Sequence, residues 1–248
     1  MRGRGLKHGA ALLTAFTAAT AVTTGCGQGS DDKGTGTATP PRTTTTTTPP
    51  PTTTTTPAVQ RFEARVTKVT AADLKHSWRE GCPVPPSGLR MIQMTYWGMD
   101  ERPHPDGRLV VNAQAADDLV KVFRRLYDMR YPIRRMEPVD AYKGSDFDSI
   151  EANNTSAFNC RNSTGGTRWS QHAYGLAVDI NPCENPYVSS SGEVAHKDCV
   201  KFRNRQRRDP GVIHDGDRVV KAFASIGWEW GGHWSGIKDY QHFSSTGR

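Results

Sequence analysis

The sequence predicts an α+β fold, in which one domain has a small antiparallel sheet flanked by helices and long loops. Several short stretches alternate apolar and polar residues, as half-buried strands do. Only two stretches show the spacing of an amphipathic helix. Two long segments, 140–170 and 182–212, show neither period and are predicted to be loops. Few helices, several short strands and long loops together indicate the α+β class.

The first predicted strand is Leu89–Trp97, where apolar residues alternate along the chain. A helix is predicted over 114–130, because apolar residues recur there at helical spacing, and Asn112 is its expected N-cap. Asp217 is expected to cap a second helix, which Gly227 ends. Further short strands are predicted at 135–139, 177–181, 228–231 and 240–243.

Residues 1–26 are predicted to form a secretion signal. A basic start precedes an apolar run at 10–22, which is too short for a comfortable membrane span. Cys26 then follows small residues as in a bacterial lipobox, where the cysteine is lipidated and becomes the mature N-terminus. Thr23 stands where an aliphatic residue is usual, so plain secretion is the alternative. We therefore expect an extracytoplasmic protein, with a lipid anchor on Cys26 as its only link to the membrane.

Residues 27–61 are predicted to be a disordered linker, because Gly, Ser, Thr and Pro dominate and little apolar surface can be buried. At about 3.1 Å per residue in polyproline form, this linker would reach on the order of 100 Å. The folded domain is expected to span 62–248, which is long enough for one core.

The charge of this domain is mild, with 26 basic and 23 acidic residues in 62–248. Nucleic acid is therefore not an expected partner. The basic run 201–208 could meet an anionic polymer, but such a run is more often a solvated face.

Four cysteines remain when Cys26 is set aside, and an even number behind a secretion signal favours two disulfides. Cys183 and Cys199 would close a short polar loop, which leaves Cys82 to pair with Cys160. This connectivity is preferred among three, and it argues against Cys160 as a nucleophile.

A histidine and a carboxylate in the stretch SQHAYGLAVDI (170–180) suggest a metal site. Asp179 lies among apolar residues, and a buried carboxylate is costly unless a cation or hydrogen bonds meet it. Zinc peptidases need three protein ligands and one open position, and the HExxH helix that often supplies them is absent. His172, Asp179, Asp239 and His242 are the candidates.

The spacing of these candidates predicts how they converge. Gly175 and the β-prone residues after it favour a loop-to-strand path between His172 and Asp179. Asp239 and His242 are three residues apart and would face opposite sides of one strand. Asp239 is therefore expected on the loop that leads into the strand, beside the ligands.

The motif SQHAYGLAVDINP (170–182) resembles the S-x-H-x-x-G-x-A-x-D signature of a family of bacterial zinc peptidases. These are the VanY-like D-alanyl-D-alanine carboxypeptidases and L-alanyl-D-glutamate endopeptidases, which share a fold with the hedgehog signalling domain. WEWGGHWSGIKDYQHF (228–243) resembles their second signature. The blocks at 131–142 and 153–161 resemble the segments that precede the first one, so the likeness covers roughly 65–243.

The resemblance implies one zinc ion bound by His172, Asp179 and His242. It implies that Asp239 acts as general base and then as general acid, a position where many relatives have the longer Glu. Glu229 is a competing carboxylate, and we favour Asp239.

The resemblance also implies an arginine that holds the substrate carboxylate or the developing oxyanion. Arg161 ends the right block, although the usual Ser-Gly-Tyr-Arg form is not present, and Arg134 or Arg135 are alternatives. Ser170 is expected to hydrogen-bond substrate or to form a turn. A serine hydrolase dyad of Ser170 and His172 is disfavoured, because no G-x-S-x-G elbow surrounds the serine.

These expectations combine into a monomeric zinc peptidase that hydrolyses peptidoglycan stem peptides. Either the terminal D-Ala-D-Ala bond or an internal bond such as L-Ala-D-Glu is the expected target. One alternative is a non-catalytic wall-binding module that keeps zinc for structure. Another is an adhesin that binds anionic polymers through residues 201–208.

Overall fold

The structure is a computed structural model that describes residues 61–248. The predicted secretion signal, the lipobox at Cys26 and the Thr/Pro-rich linker up to residue 60 lie outside the described residues. Within the described range, no helix has both the length and the apolar character needed to cross a membrane.

Residues 61–248 form a mixed α and β domain with small antiparallel sheets, which confirms the predicted fold class. The strands in this range are β1 (Ala64–Lys68), β2 (Leu89–Trp97), β3 (Pro103–Asn112), β4 (Ala177–Asp179), β5 (Tyr187–Val188), β6 (Glu229–Trp230), β7 (Lys238–Asp239) and β8 (His242–Ser244). The α-helices are α1 (Ala116–Asp128), α2 (Asp146–Glu151) and α3 (Arg218–Ala224), and 3-10 helices lie at Pro86–Gly88, Val139–Tyr142, Gln171–Tyr174, Lys197–Arg203 and Gly231–His233.

The N-terminal sheet has the strand order β1-β2-β3, and both pairings are antiparallel. Its β2 strand matches the prediction from the sequence. Helix α1 packs on this sheet through its apolar stripe, which includes the fully buried Leu119 and Val122. Ile92 of β2 and Leu109 of β3 are paired in the sheet and contribute to the same core. This layer is a conventional sheet-and-helix core.

The C-terminal sheet has the order β4-β8-β6 and is also antiparallel. Phe243 at its centre is fully buried and stacks on Phe223 of α3, with 4.1 Å between the ring centroids. Val178 and Trp230 belong to the same core. A two-stranded sheet of β5 and β7 completes the strand pairing described here.

The two expected disulfides are present. Cys82 bonds to Cys160, and Cys183 bonds to Cys199. The first bond joins the segment before β2 to the buried stretch that precedes the first motif.

Some element predictions are wrong. The strand predicted at 135–139 does not form, and only isolated bridges at Ile133 and Met136 occur nearby. Pro138 lacks a backbone N–H, which disfavours a ladder, and a 3-10 helix begins at Val139. Strand β3 was missed because the prolines, Asp and Gly of PHPDG obscure its pattern, and β1 was missed because it is short and mostly exposed.

The two predicted N-cap residues do not cap their helices as expected. Helix α1 lies within the predicted range, but its N-cap residue is Ala115. The side chain of Asn112 instead accepts the Gln114 N–H and donates to the carbonyl of Tyr174. Asp217 does precede α3, yet its carboxylate accepts the His214 N–H rather than a helix N–H.

The two predicted loops contain short elements as well. α2 and most of the 3-10 helix Val139–Tyr142 lie in 140–170, and β5 and the 3-10 helix Lys197–Arg203 lie in 182–212.

Candidate metal centre

His172 lies in the short 3-10 helix Gln171–Tyr174, which Ser170 begins. The hydroxyl of Ser170 accepts the His172 N–H at 3.3 Å, so Ser170 acts as the cap of this turn. Gly175 ends the turn with a φ of 66°, and β4 begins two residues later. The predicted path from loop to strand is therefore confirmed.

Gly175 also allows the turn to approach the N-terminal sheet closely. Its carbonyl accepts the Asn112 N–H of β3 at 2.8 Å. A Cβ at Gly175 would lie 2.5 Å from the Asn112 nitrogen, and the positive φ disfavours any side chain as well. The N-terminal sheet thus supports the turn that carries His172.

Asp179 and His242 lie opposite each other in the C-terminal sheet, since β4 and β8 pair them in register. Their neighbours Val178 and Phe243 enter the apolar core. Side chains alternate along a strand, so Asp179 and His242 share the other face.

The three side chains converge on one point. His172 Nε2 lies 3.2 Å from Asp179 Oδ2 and 3.2 Å from His242 Nδ1, and His242 Nδ1 lies 3.2 Å from Asp179 Oδ1. Adjacent ligands of a tetrahedral zinc ion with bonds of about 2.0–2.1 Å are about 3.3 Å apart. All three residues are buried. The arrangement therefore fits three ligands of one small cation.

The hydrogen bonds of His172 set its tautomer for this role. Its Nδ1 lies 2.6 Å from the carbonyl of Ala157, which can only accept, so Nδ1 carries the proton. Its Nε2 then presents a lone pair to the cluster. A ligating histidine commonly makes this kind of bond through its other nitrogen.

His242 faces the cluster through Nδ1. Its Nε2 is buried and has no hydrogen-bond partner among residues 61–248. The ring of Trp234 lies beside it, with 5.4 Å between the centroids.

Asp179 is held as a carboxylate. Burial opposes its ionisation, but His172 and His242 hold the pKa of this carboxyl below its usual range. Gln241 Nε2 also donates to Asp179 Oδ2 at 3.2 Å. The sequence indicated that a buried carboxylate here needs a cation or donors, and the structure brings donors to it and groups it with two potential metal ligands.

Asp239 lies beside this cluster, although not on a loop as the spacing predicted. It belongs to β7 and pairs with Tyr187, and a turn at Tyr240 and Gln241 separates it from His242. Its Oδ1 is buried and has no hydrogen-bond partner in the described part of the chain. Burial, and then the negative charge of Asp179, raise the pKa of Asp239 to about 7.

Gly231 makes room for Asp239. A Cβ at this glycine would lie 2.5 Å from the Asp239 carbonyl oxygen and 3.0 Å from its Cβ. Gly231 therefore lets the chain pass close to the backbone of Asp239.

A cavity of about 660 Å³ opens onto these residues. Its walls include His172, His242, Asp239, Ser170 and Arg161. Five of the six predicted site residues therefore line one cavity. Asp179 is buried behind the wall, where it contacts both histidines.

Arg161 is positioned by an ion pair, since its Nε lies 2.8 Å from Asp146 Oδ1 of α2. Its positive charge opposes the rise in the pKa of Asp239, which indicates that the two groups are near each other. Arg134 and Arg135, the alternatives, are exposed and line neither this cavity nor the adjoining one described below.

Glu229 does not share the site. It is exposed on β6, pairs with Ser244 and lines neither cavity. The structure favours Asp239 over Glu229 as the carboxylate of this site.

Gln241 and Tyr187 are two site residues that the sequence analysis missed. Gln241 immediately precedes His242, so its contact with Asp179 follows from strand pairing that only the structure reveals. Tyr187 lies in a predicted loop and reaches the cavity through the pairing of β5 with β7.

Residues 164–245 match a family model described as D-alanyl-D-alanine carboxypeptidase. The match indicates that the protein is a peptidase. More narrowly, the matched segment carries both motifs and supports the resemblance to the VanY-like D-alanyl-D-alanine carboxypeptidases seen in the sequence. No curated protein and no solved structure was found to match the chain. Together with the two disulfides, the family indicates an extracytoplasmic protein.

Proposed function

We propose that the protein is a zinc-dependent peptidase that hydrolyses peptidoglycan stem peptides, at the terminal D-Ala-D-Ala bond or at an internal bond of the L-Ala-D-Glu type. The observation that carries this proposal is the cluster of His172, Asp179 and His242, which offers one potential ligand atom from each residue within 4.8 Å of the others. Asp239 lies on the wall of the same cavity, as a water-activating carboxylate must.

The donor set suits zinc better than a hard cation. Two imidazole nitrogens and one carboxylate are typical of catalytic zinc sites, whereas calcium and magnesium prefer oxygen ligands. When bound, zinc polarises the scissile carbonyl and lowers the pKa of a water molecule.

Asp239 is proposed to move the proton. Its carboxylate takes a proton from the attacking water and passes it to the amine that leaves when the C–N bond breaks. A pKa raised toward neutrality suits a group that must accept and then release a proton.

Arg161 and Ser170 are proposed to orient the substrate. Arg161 lies on the cavity wall and forms an ion pair with Asp146, and the five N–H donors of a guanidinium leave it able to bind a peptide carboxylate or the oxyanion as well. Ser170 also lines the cavity, and its hydroxyl proton is free to donate while its oxygen caps the turn.

The remaining expectations complete the proposal. The peptidase acts as a monomer outside the cell membrane, either anchored through a lipid on Cys26 or secreted into the wall. Peptidoglycan peptide is its partner, and nucleic acid is not.

The test is digestion of purified cell wall by the purified protein, with and without a zinc chelator, followed by mass spectrometry of the released ends. New peptide termini that depend on zinc are expected, and their identity shows which bond is cut. Binding to the wall without new termini would support a zinc-containing binding module instead. Binding that persists without zinc and weakens as the salt concentration rises would indicate that the basic run 201–208 binds an anionic wall polymer.

A further inference from the structure

Arg205 is a partly buried cation that the proposed reaction does not use. Its guanidinium donates to the carbonyls of Glu184, Phe202 and Ile213 and to the side-chain oxygen of Asn185, at 2.6–3.0 Å. All four acceptors are neutral oxygens, so dipoles rather than a carboxylate meet the positive charge at these contacts. Burial lowers the pKa of Arg205 to about 10, so the group still carries its charge near neutral pH.

The ring of Tyr240 covers one face of this guanidinium, with 4.3 Å between Arg205 Cζ and the ring centroid. An aromatic face attracts a cation, and the attraction is stronger where water is excluded. A desolvated charge without an oppositely charged partner depends on such contacts for compensation. The contact therefore couples the position of Tyr240 to that of Arg205.

Tyr240 lies in the turn between the proposed base and a proposed metal ligand. It directly follows Asp239, the last residue of β7, and His242 begins β8 two residues later. β8 is held on both sides, because it pairs with β4 and with β6. β7 is joined to β5 by two residue pairs, and a two-stranded sheet of this kind is marginally stable by itself. Asp239 is therefore the end of this turn that needs further support.

The side chain of Asp239 has little to fix it directly. It lies on the walls of two adjoining cavities, the one at the metal centre and a second one of about 310 Å³. Its Oδ1 has no hydrogen-bond partner within residues 61–248. The backbone of the turn must therefore set where this carboxylate lies.

Arg205 supports both strands of the small sheet that carries Asp239. The residues immediately before β5 supply two of its acceptors, and the carbonyl of Pro186 in the same segment accepts the Tyr240 N–H at 3.4 Å. Tyr240 in turn directly follows β7. The guanidinium thus links the start of β5 to the end of β7, beside the pair that Tyr187 forms with Asp239.

We propose, building on the proposed function, that Arg205 is a positioning residue for Asp239. Its guanidinium holds the Tyr240 ring against the segment before β5, and the turn then keeps the Asp239 carboxylate at the metal cavity. Neither cavity wall includes Arg205, so it acts through Tyr240 and does not touch the substrate. Loss of this support should slow proton transfer and leave zinc binding and KM unchanged.

The test places phenylalanines with one to three ring fluorines at position 240, with Tyr240→Phe as the reference. Each fluorine withdraws electron density from the ring face and weakens its attraction for a cation, while the shape of the side chain hardly changes. kcat and KM are measured with the zinc-loaded protein on a peptide that ends in D-Ala-D-Ala. We expect kcat to fall stepwise, by about three- to tenfold over the series, while KM and zinc content stay unchanged.

Arg205→Met removes the cation. In this background the fluorines should no longer change kcat, because the two groups act together. Arg205→Lys keeps a charge over the ring, so it should recover part of the kcat that Arg205→Met loses. The matched control is Arg124, which lies over the ring of Phe62 at 4.7 Å and lines neither cavity. Fluorinated rings at Phe62 should leave kcat unchanged.

Amide hydrogen exchange gives a second reading that needs no cleavage. In Arg205→Met, the Tyr240 amide should exchange at least about tenfold faster relative to the Leu119 amide of α1, which reports on global stability. An equal change at both amides would indicate general destabilisation and would overturn the positioning role.

A kcat that does not respond to fluorination at position 240 would also overturn the proposal, and these variants keep the size of the ring. Zinc content that falls in step with kcat would do the same, since the whole site would then be lost. If the unmodified protein does not cleave the peptide, the proposed function at this bond fails. Exchange at Tyr240 then decides the inference by itself, and an unchanged rate in Arg205→Met would overturn it.

Discussion

The two three-stranded sheets of this domain are built for different tasks. The sheet of β1, β2 and β3 buries mainly apolar side chains against α1. The sheet of β4, β8 and β6 also buries apolar residues, but its other face carries Asp179 and His242. The comparison shows how a buried carboxylate is tolerated. The first sheet contributes hydrophobic stability, and the second also holds polar groups that could bind a metal ion.

The largest expected effect comes from removing the polar group at the centre of the second sheet. Asp179→Ala should abolish zinc binding and lower activity by at least about 10²-fold, because two histidines alone are a poor zinc site. Zinc content by atomic absorption and peptidase activity should fall together. Asp118→Ala, on the exposed face of α1, is the control and should change neither.

Full zinc occupancy in Asp179→Ala would show that the cluster is not the metal site.

Asp239→Asn tests the proposed proton transfer separately from zinc binding. It should keep zinc and lower kcat by about 10²–10⁴-fold, since the amide cannot accept the proton. Glu229→Gln is the matched control and should retain activity, because Glu229 is exposed and outside both cavities. If the two variants behave in the reverse way, Glu229 is the base.

Leu109→Ala tests the first sheet. Leu109 is fully buried in β3, so its truncation should destabilise the domain by about 2–5 kcal/mol. Denaturant unfolding measures this loss. Zinc affinity should stay unchanged at temperatures where the variant is folded, because Leu109 lies in the apolar core and not on the wall of the cavity that the cluster faces. A zinc affinity that falls in proportion to stability would mean that the two sheets are not separable in this way.

The smallest expected effect is on the pH profile. The pKa of Asp239 is raised to about 7 without a metal, and a nearby cation favours the carboxylate and lowers that value. A base must be ionised, so kcat/KM should fall as the pH drops, with a midpoint at or below pH 7. Zinc content is measured in parallel, because protonation of the histidines releases the metal at low pH. A profile that is flat while zinc remains bound would contradict the role of Asp239.

The sequence predicted the site better than it predicted the elements around it. His172, Asp179 and His242 could be found because each lies in a motif with specific spacing, and the buried position of Asp179 was itself a signal. Strand β3 could not be found, since its PHPDG start hides the alternation. Gln241 could not be found either, because its partner Asp179 is 62 residues away and is reached only through the pairing of β4 with β8.

The bond between Cys82 and Cys160 has a practical consequence for laboratory production. It links the segment that precedes Arg161 covalently to the start of the domain. The carbonyl of Arg161 in turn accepts the Ser170 N–H. The cytosol of common expression hosts keeps thiols reduced, so protein made there would lack this disulfide bond. Export to an oxidising periplasm, or refolding with a glutathione redox pair, is therefore the appropriate route to homogeneous material.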